Sequence, residues 1–195
     1  MKTIGLTGSL AMGKSTTARM FADEEVPVFD ADAAVHELYG PGARGTDAVR
    51  AILPGAVTAS GVDRRRLSQA VKGDLALLDR LEAAIHPLVR EAESRFRDDM
   101  RAAGVDLVLF DIPLLFETGR EGEFDCIVVA SAPADVQMAR LMARPGMTDE
   151  WARLLLARQL PDAEKRRRAD FVVDTAKGFD FARDQVRAIV NHLRN

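Results

Sequence analysis

Cysteine and asparagine are scarce in this 195-residue sequence, and each scarcity removes a class of protein. A single thiol, Cys126, excludes a disulfide framework within the chain. It lies in the apolar run Phe124-Asp125-Cys126-Ile127-Val128-Val129, where it reads as a small buried hydrophobe. The two asparagines, Asn191 and Asn195, both stand at the C-terminus. The Asn-Lys-x-Asp element that selects guanine in GTPase switches therefore has no place here. No apolar run approaches the length that spans a bilayer. Charge of one sign is also missing: 27 basic residues face 30 acidic ones, and a net charge of −3 gives no electrostatic reason to bind nucleic acid. Only five of the basic residues are lysines. A hydrophobic content of 47% and a charged content of 29% are ordinary for a globular chain of this length, which suits one α/β core with a smaller helical appendage. A glycine loop within eight residues of Met1 leaves no room for a leader, so the reading is cytoplasmic, with no membrane partner.

That loop, Gly8-Ser9-Leu10-Ala11-Met12-Gly13-Lys14-Ser15, is the most informative stretch present. It fits the pattern of a glycine, four residues, then Gly-Lys-Ser. Before it, Thr3-Ile4-Gly5-Leu6-Thr7 reads as a strand; after it, Thr16-Thr17-Ala18-Arg19-Met20-Phe21-Ala22 reads as the first turns of a helix. A strand, a tight loop and a helix N-terminus direct unpaired N–H groups and the positive end of the helix dipole at one point. A polyphosphate suits that point. The reading places ATP against Ala11, Met12, Gly13, Lys14, Ser15 and Thr16, with Lys14 reaching the β/γ-phosphates and the Ser15 hydroxyl ligating Mg²⁺. Ala11 stands where many such loops carry another glycine. If its φ is positive, Ala strains the turn.

Further strands are predicted at Val26–Asp30, Asp106–Asp111, Cys126–Ala130 and Phe171–Asp174, with helical patterns between them. The alternation predicts an α/β fold of the P-loop NTPase type, with a doubly wound, mostly parallel five-stranded sheet. Ligands in such sheets bind beyond the carboxyl ends of the strands, where Asp30, Asp111 and Ser131 fall. The chain is read as a single domain with a core of 1–32, 105–143 and 165–195. The interval 33–104 carries no convincing strand and reads as a helical, acceptor-binding insertion. It has helices around Thr46–Leu53 and from Asp63, then a pair split at His86-Pro87. Residues 144–164 read as a lid. Pro145-Gly146 breaks the helix that begins near Pro133, and Arg140, Arg144, Arg153 and Arg158 recur along the zone.

Four motifs then coincide: Gly5-Leu6-Thr7-Gly8 leading into Gly13-Lys14-Ser15-Thr16; Asp30-Ala31-Asp32; His86-Pro87 with Pro113-Leu114-Leu115-Phe116-Glu117; and Gln159-Leu160-Pro161 with Glu164-Lys165-Arg166 and Ala169-Asp170. In this order and spacing the chain resembles the dephospho-CoA kinase family, from Lys2 to about Asp174. Ala11 and Met12 depart from the Gly-Ser the family often shows. The resemblance implies transfer of the ATP γ-phosphoryl group to the ribose 3′-hydroxyl of dephospho-CoA. It also implies Asp32 as general base. Asp30 and Asp32, two apart, share one side if the strand persists. Asp30 then assists Mg²⁺ through water and lies with the acceptor, and Asp32 serves catalysis and metal alike. Their other role is to cap a helix over Ala33–Tyr39. Asp111 fits a metal ligand at a strand end.

Pro113, Leu114 and Glu117 are expected to shape the acceptor pocket. Arg66 is either an acceptor-phosphate contact or a surface charge, and His86 either an acceptor contact or a packed histidine. Arg140 and Arg144 are expected to contact ATP, and Lys165–Arg168 reads as a solvated helix face. The chain is expected to act as a monomer or weak homo-oligomer. The nearest rival is another P-loop small-molecule kinase, acting on a nucleoside, a nucleotide or a shikimate-like acceptor.

Overall fold

The computed structural model describes all residues 1–195. In chain order the elements are β1 (Lys2–Thr7), α1 (Lys14–Asp23), β2 (Val28–Asp30), α2 (Ala31–Leu38), α3 (Arg44–Ile52), β3 (Val57–Thr58), β4 (Gly61–Val62), α4 (Arg64–Val71), α5 (Leu75–Ala102), β5 (Leu107–Asp111), β6 (Cys126–Ser131), α6 (Ala134–Met142), α7 (Asp149–Ala157), α8 (Asp162–Arg168), β7 (Phe171–Asp174) and α9 (Phe179–Arg194). They form two compact units, residues 1–29 with 100–195, and residues 30–99.

The first unit is built on a five-stranded sheet of order β2-β5-β1-β6-β7. The pairings of β1 with β5, β1 with β6, and β6 with β7 are parallel. β5 and β6 are buried along their whole length, as strands covered on both faces must be. On one face Ile4, Leu6, Leu109, Val128 and Val173 pack with Phe21 of α1 and Val186 and Ile189 of α9. On the other, Phe110 lies 6.0 Å from Phe29 and 5.6 Å from Phe124 between ring centroids. Gly5 is required on that second face, because a Cβ there would come within 2.9 Å of Leu115, Ile127 and Phe124 side chains. Cys126 is buried as predicted, and burial, reinforced by Asp170 and Asp125, pushes its thiol up to about 12. Asp111 and Ser131 close their strands, as predicted.

The second unit packs Val49, Ala56, Leu81 and Ile85 into a core of its own. α3 and α4 form where predicted, α4 being capped by Asp63, whose carboxylate accepts from the N–H groups of Arg65 and Arg66 at 3.0 Å each. Three expectations are corrected. The interval is not free of strands: β3 and β4 pair antiparallel, Val57 with Val62 and Thr58 with Gly61. The strand carrying Asp30 does not persist to Asp32. It ends at Asp30, whose carboxylate accepts from Ala33 N–H at 3.0 Å as the N-cap of α2, so the helix begins at Ala31. Finally, Pro87 does not split a helix pair; it lies inside the 28-residue α5.

The physical reason for this last difference is the apolar stripe. Leu77, Leu81, Ile85 and Leu88 follow one another at helical spacing across the proline and dock on one core. Pro87 itself is exposed, so the Ala83 carbonyl that loses its helical donor can turn to water. Interior proline costs a helix about 3 kcal/mol relative to alanine. Pro87→Ala should therefore raise the unfolding free energy by about 1–3 kcal/mol in urea titrations, part of the gain being offset by the freer unfolded chain. Unchanged or lowered stability would contradict this account of the helix.

Candidate functional site

The glycine loop joins β1 to α1. The Ser9 carbonyl accepts from Met12 N–H at 3.1 Å, closing a four-residue turn whose third residue, Ala11, has φ 62°. That position needs positive φ in a type II turn, which is why glycine is usual there. Alanine therefore carries strain, on the order of 1–2 kcal/mol. Gly13 follows at φ 89° as the N-cap of α1. A Cβ there would also press on the Thr175 side chain at 3.1 Å. No side chain caps α1 and no acidic residue lies in its first turn, so its N-terminus presents backbone N–H groups and the positive dipole end.

A ring of side chains from behind fixes the loop. Thr175 Oγ1 donates to the Met12 carbonyl at 2.8 Å, and Ala132 N–H donates to Met12 Sδ at 3.2 Å. The sequence points to Arg140 as a nucleotide contact. In the structure its Nη2 donates to the Thr175 carbonyl at 2.7 Å and its Nη1 to Thr175 Oγ1 at 3.0 Å, with a longer contact of 3.5 Å to the Ala11 carbonyl. Arg140 thus braces the loop. Arg144 is exposed in the turn between α6 and α7, with Gly146 at φ 74° beside it.

Lys14 opens α1, and its Nζ pairs with Asp111 Oδ1 at the end of β5. The Asp111 side chain is only 3% exposed, so this carboxylate is a buried charge whose cationic partner is the loop lysine. Ser15 is exposed at the second position of α1. Pro113 is half-buried and its carbonyl accepts from Thr7 Oγ1 at 3.2 Å; Leu114 is half-buried beside it. Four predicted residues belong to the second unit. Asp30 caps α2, and Asp32 is exposed in its first turn. Arg66 ion-pairs with Asp63 at 3.2 Å and donates to the Gly55 carbonyl at 3.3 Å. His86 is exposed on α5, not packed in a core.

Lys165 needs more correction. The sequence reads it as part of a solvated basic face, but its side chain is fully buried and its Nζ lies 2.8 Å from Glu117 Oε1. The same oxygen accepts from Leu160 N–H at 2.8 Å, while Oε2 is buried without a partner. Glu117 therefore meets the chain entering α8, next to Ser131 Oγ, which donates to Asp162 Oδ2 at 2.7 Å. Only Arg166, Arg167 and Arg168 of the run are exposed. No local pattern separates Lys165 from the arginines: successive helical residues turn by about 100°, so Arg166, Arg167 and Arg168 point in three different directions and share no face opposite it. Sequence reasoning passed over Gln137 and singled out Gln159 only as part of a motif, without a role; each bonds the Leu10 backbone.

Removing one member of a buried ion pair leaves an uncompensated charge and costs about 3–5 kcal/mol. Glu117→Leu should destabilise by that amount, and Glu117→Leu with Lys165→Met should recover most of it in thermal denaturation. A single variant as stable as wild type would refute the pairing.

Comparison with known proteins bears on the whole chain. A family model described as dephospho-CoA kinase matches residues 2–180. A dephospho-CoA kinase of Mesorhizobium japonicum is 53% identical over 194 residues, covering 100% of this chain and 98% of that protein. A crystal structure of a Thermus thermophilus protein superposes with TM-score 0.77 at 32% identity, covering 98% of this chain and 97% of that one. A shikimate kinase of Acinetobacter baumannii shares the fold, with TM-score 0.59 at 17% identity, covering 100% and 93% of the two chains.

Proposed function

The chain belongs to the dephospho-CoA kinase family, and we propose that it uses ATP to phosphorylate the ribose 3′-hydroxyl of dephospho-CoA, giving coenzyme A and ADP. The observation that carries this reading is the family match over residues 2–180, which spans the glycine loop, the buried Asp111 and the Pro113–Glu117 stretch together. Phosphoryl transfer is mostly positioning and electrostatic stabilisation. The backbone N–H groups of the loop and of the first turn of α1 hold the phosphates of ATP, from Ala11 to Thr16. Lys14, paired with Asp111 in the free chain, exchanges that carboxylate for the β/γ-phosphates. Mg²⁺ suits this donor set, since it is commonly bound by one or two carboxylates along with substrate phosphates. Ser15, with Asp111 and Asp32, would hold it and so neutralise the equatorial charge.

Asp32, exposed in the first turn of α2, receives the proton of the attacking hydroxyl. Asp30 sets the position of Asp32 by capping the same helix. Arg66 and His86 of the unit 30–99 take the acceptor, and Pro113 and Leu114 are acceptor-contacting residues in the same reading. Residues 144–164 close over ATP and carry Arg144 toward the transferring group. No helix is long and apolar enough to cross a membrane. The proposed setting is the cytoplasm, with a small-molecule partner and no nucleic acid or membrane, as a monomer or weak homo-oligomer.

With MgATP, dephospho-CoA should be turned over far faster than adenosine, AMP or shikimate in a coupled ADP-release assay, because binding of the pantetheine arm positions the hydroxyl. Equal turnover of an acceptor lacking that arm would sink the assignment. Asp32→Asn should keep ATP affinity and lower kcat by about 10²–10⁴, nearer the low end because the transition state is loose. Near wild-type kcat would reduce Asp32 to a helix-terminal charge.

A further inference from the structure

We propose that Gln137 and Gln159 are positioning residues that couple the lid to the phosphate loop by gripping one residue, Leu10, from both sides. Gln137 lies on α6, before the lid, and Gln159 lies just beyond α7. Gln137 Nε2 donates to the Leu10 carbonyl at 2.8 Å. Gln159 Oε1 accepts from Leu10 N–H at 2.9 Å. Both polar backbone groups of Leu10 are thereby satisfied by side chains, one from the helix that leads into residues 144–164 and one from near the end of that segment. Gln137 is only 7% exposed, so its amide is committed to this contact.

The consequence falls on the next residue. Ala11 holds φ 62° without the freedom of glycine, and such strain persists only where the surroundings over-determine it. Downstream, Thr175 and Ala132 fix Met12. Upstream, the two glutamines fix Leu10. With either glutamine bond gone, Ala11 can relax to negative φ, which turns the N–H groups of Ala11 and Met12 away from the phosphate position. A shift of the lid roots therefore changes the loop, and by linkage an occupied loop holds the lid roots in place. The inference rests on the proposed reading of 144–164 as a lid over ATP, but not on the identity of the acceptor.

The test uses ADP binding by calorimetry, which needs no acceptor, together with hydrogen exchange of residues 9–13 and 147–157 in the full chain. Gln137→Leu and Gln159→Leu should each weaken ADP binding about 2- to 10-fold, the worth of one net hydrogen bond. Both should speed exchange in the loop and in the lid segment. Gln159→Glu keeps an acceptor, so Leu10 N–H should stay slow to exchange. In an Ala11→Gly background, where glycine takes positive φ unaided, the same Leu substitutions should cost less than about 2-fold. Wild-type affinity and exchange in the Leu variants would overturn the coupling, as would a loss of the same size in the Ala11→Gly background. A wrong acceptor would leave these readouts intact and show only in turnover, whereas a chain that does not bind ADP would overturn both readings.

Discussion

Several backbone N–H groups must converge on one phosphate position, and that requirement organises the rest of the molecule. Convergence forces left-handed backbone at Ala11 and at Gly13, two residues apart in the turn that leads into α1. Glycine meets this freely at position 13. Alanine does not at position 11, so the neighbourhood must hold the turn. Leu10 is bonded by two glutamines, Met12 by Thr175 and Ala132, and Thr175 in turn by Arg140. The sheet serves the same end. β1 delivers the loop at its carboxyl edge, β6 and β7 end at Ser131 and Asp174 beside Thr175, and β5 ends at the carboxylate that receives Lys14.

Charge is handled in two ways around this loop. Lys14 and Asp111 form a pair whose cation lies at the surface end and whose anion is buried, so the lysine can trade partners while the carboxylate stays put. Lys165 and Glu117 form a pair with the cation wholly enclosed and the Leu160 amide added to the same carboxylate oxygen. A buried pair of that kind adds little net stability but fixes geometry, because separating it exposes an uncompensated charge to an apolar setting. The first pair suits a group that must respond to a ligand. The second suits the fixed point from which the 144–164 segment departs.

Much of the fold could be read before the structure, for identifiable reasons. The glycine loop has a fixed spacing, and β5, β6 and β7 are short apolar runs bounded by polar residues, so composition and period agree. The ends of β5 and β7 at Asp111 and Asp174 were legible because carboxylates do not continue a buried strand. What failed were places where tertiary contacts outvote local preference. Pro87 marks a helix break by every local rule, yet the stripe from Leu77 to Leu88 holds α5 together across it. The hairpin of β3 and β4 contributes two residues per strand, too few for any period to register. Asp30 closes its strand as read, but the side it would share with Asp32 does not form, because the same carboxylate caps the helix that starts at Ala31. Lys165 hid inside an arginine run, and its partner Glu117 lies 48 positions away in sequence. Gln159 opens the Gln159-Leu160-Pro161 motif, but its hold on Leu10, like that of Gln137, is defined only by what it touches.

The central claim is chemical: this loop and its supporting shell transfer a phosphoryl group to one particular hydroxyl. The direct measurement is phosphorus–proton correlation NMR of the product formed from MgATP and dephospho-CoA by the purified chain. The account predicts a new phosphomonoester whose phosphorus couples to the ribose H3′ of the acceptor. A product phosphorylated at the 2′ position, or ADP released with no new phosphomonoester on the acceptor, would contradict it.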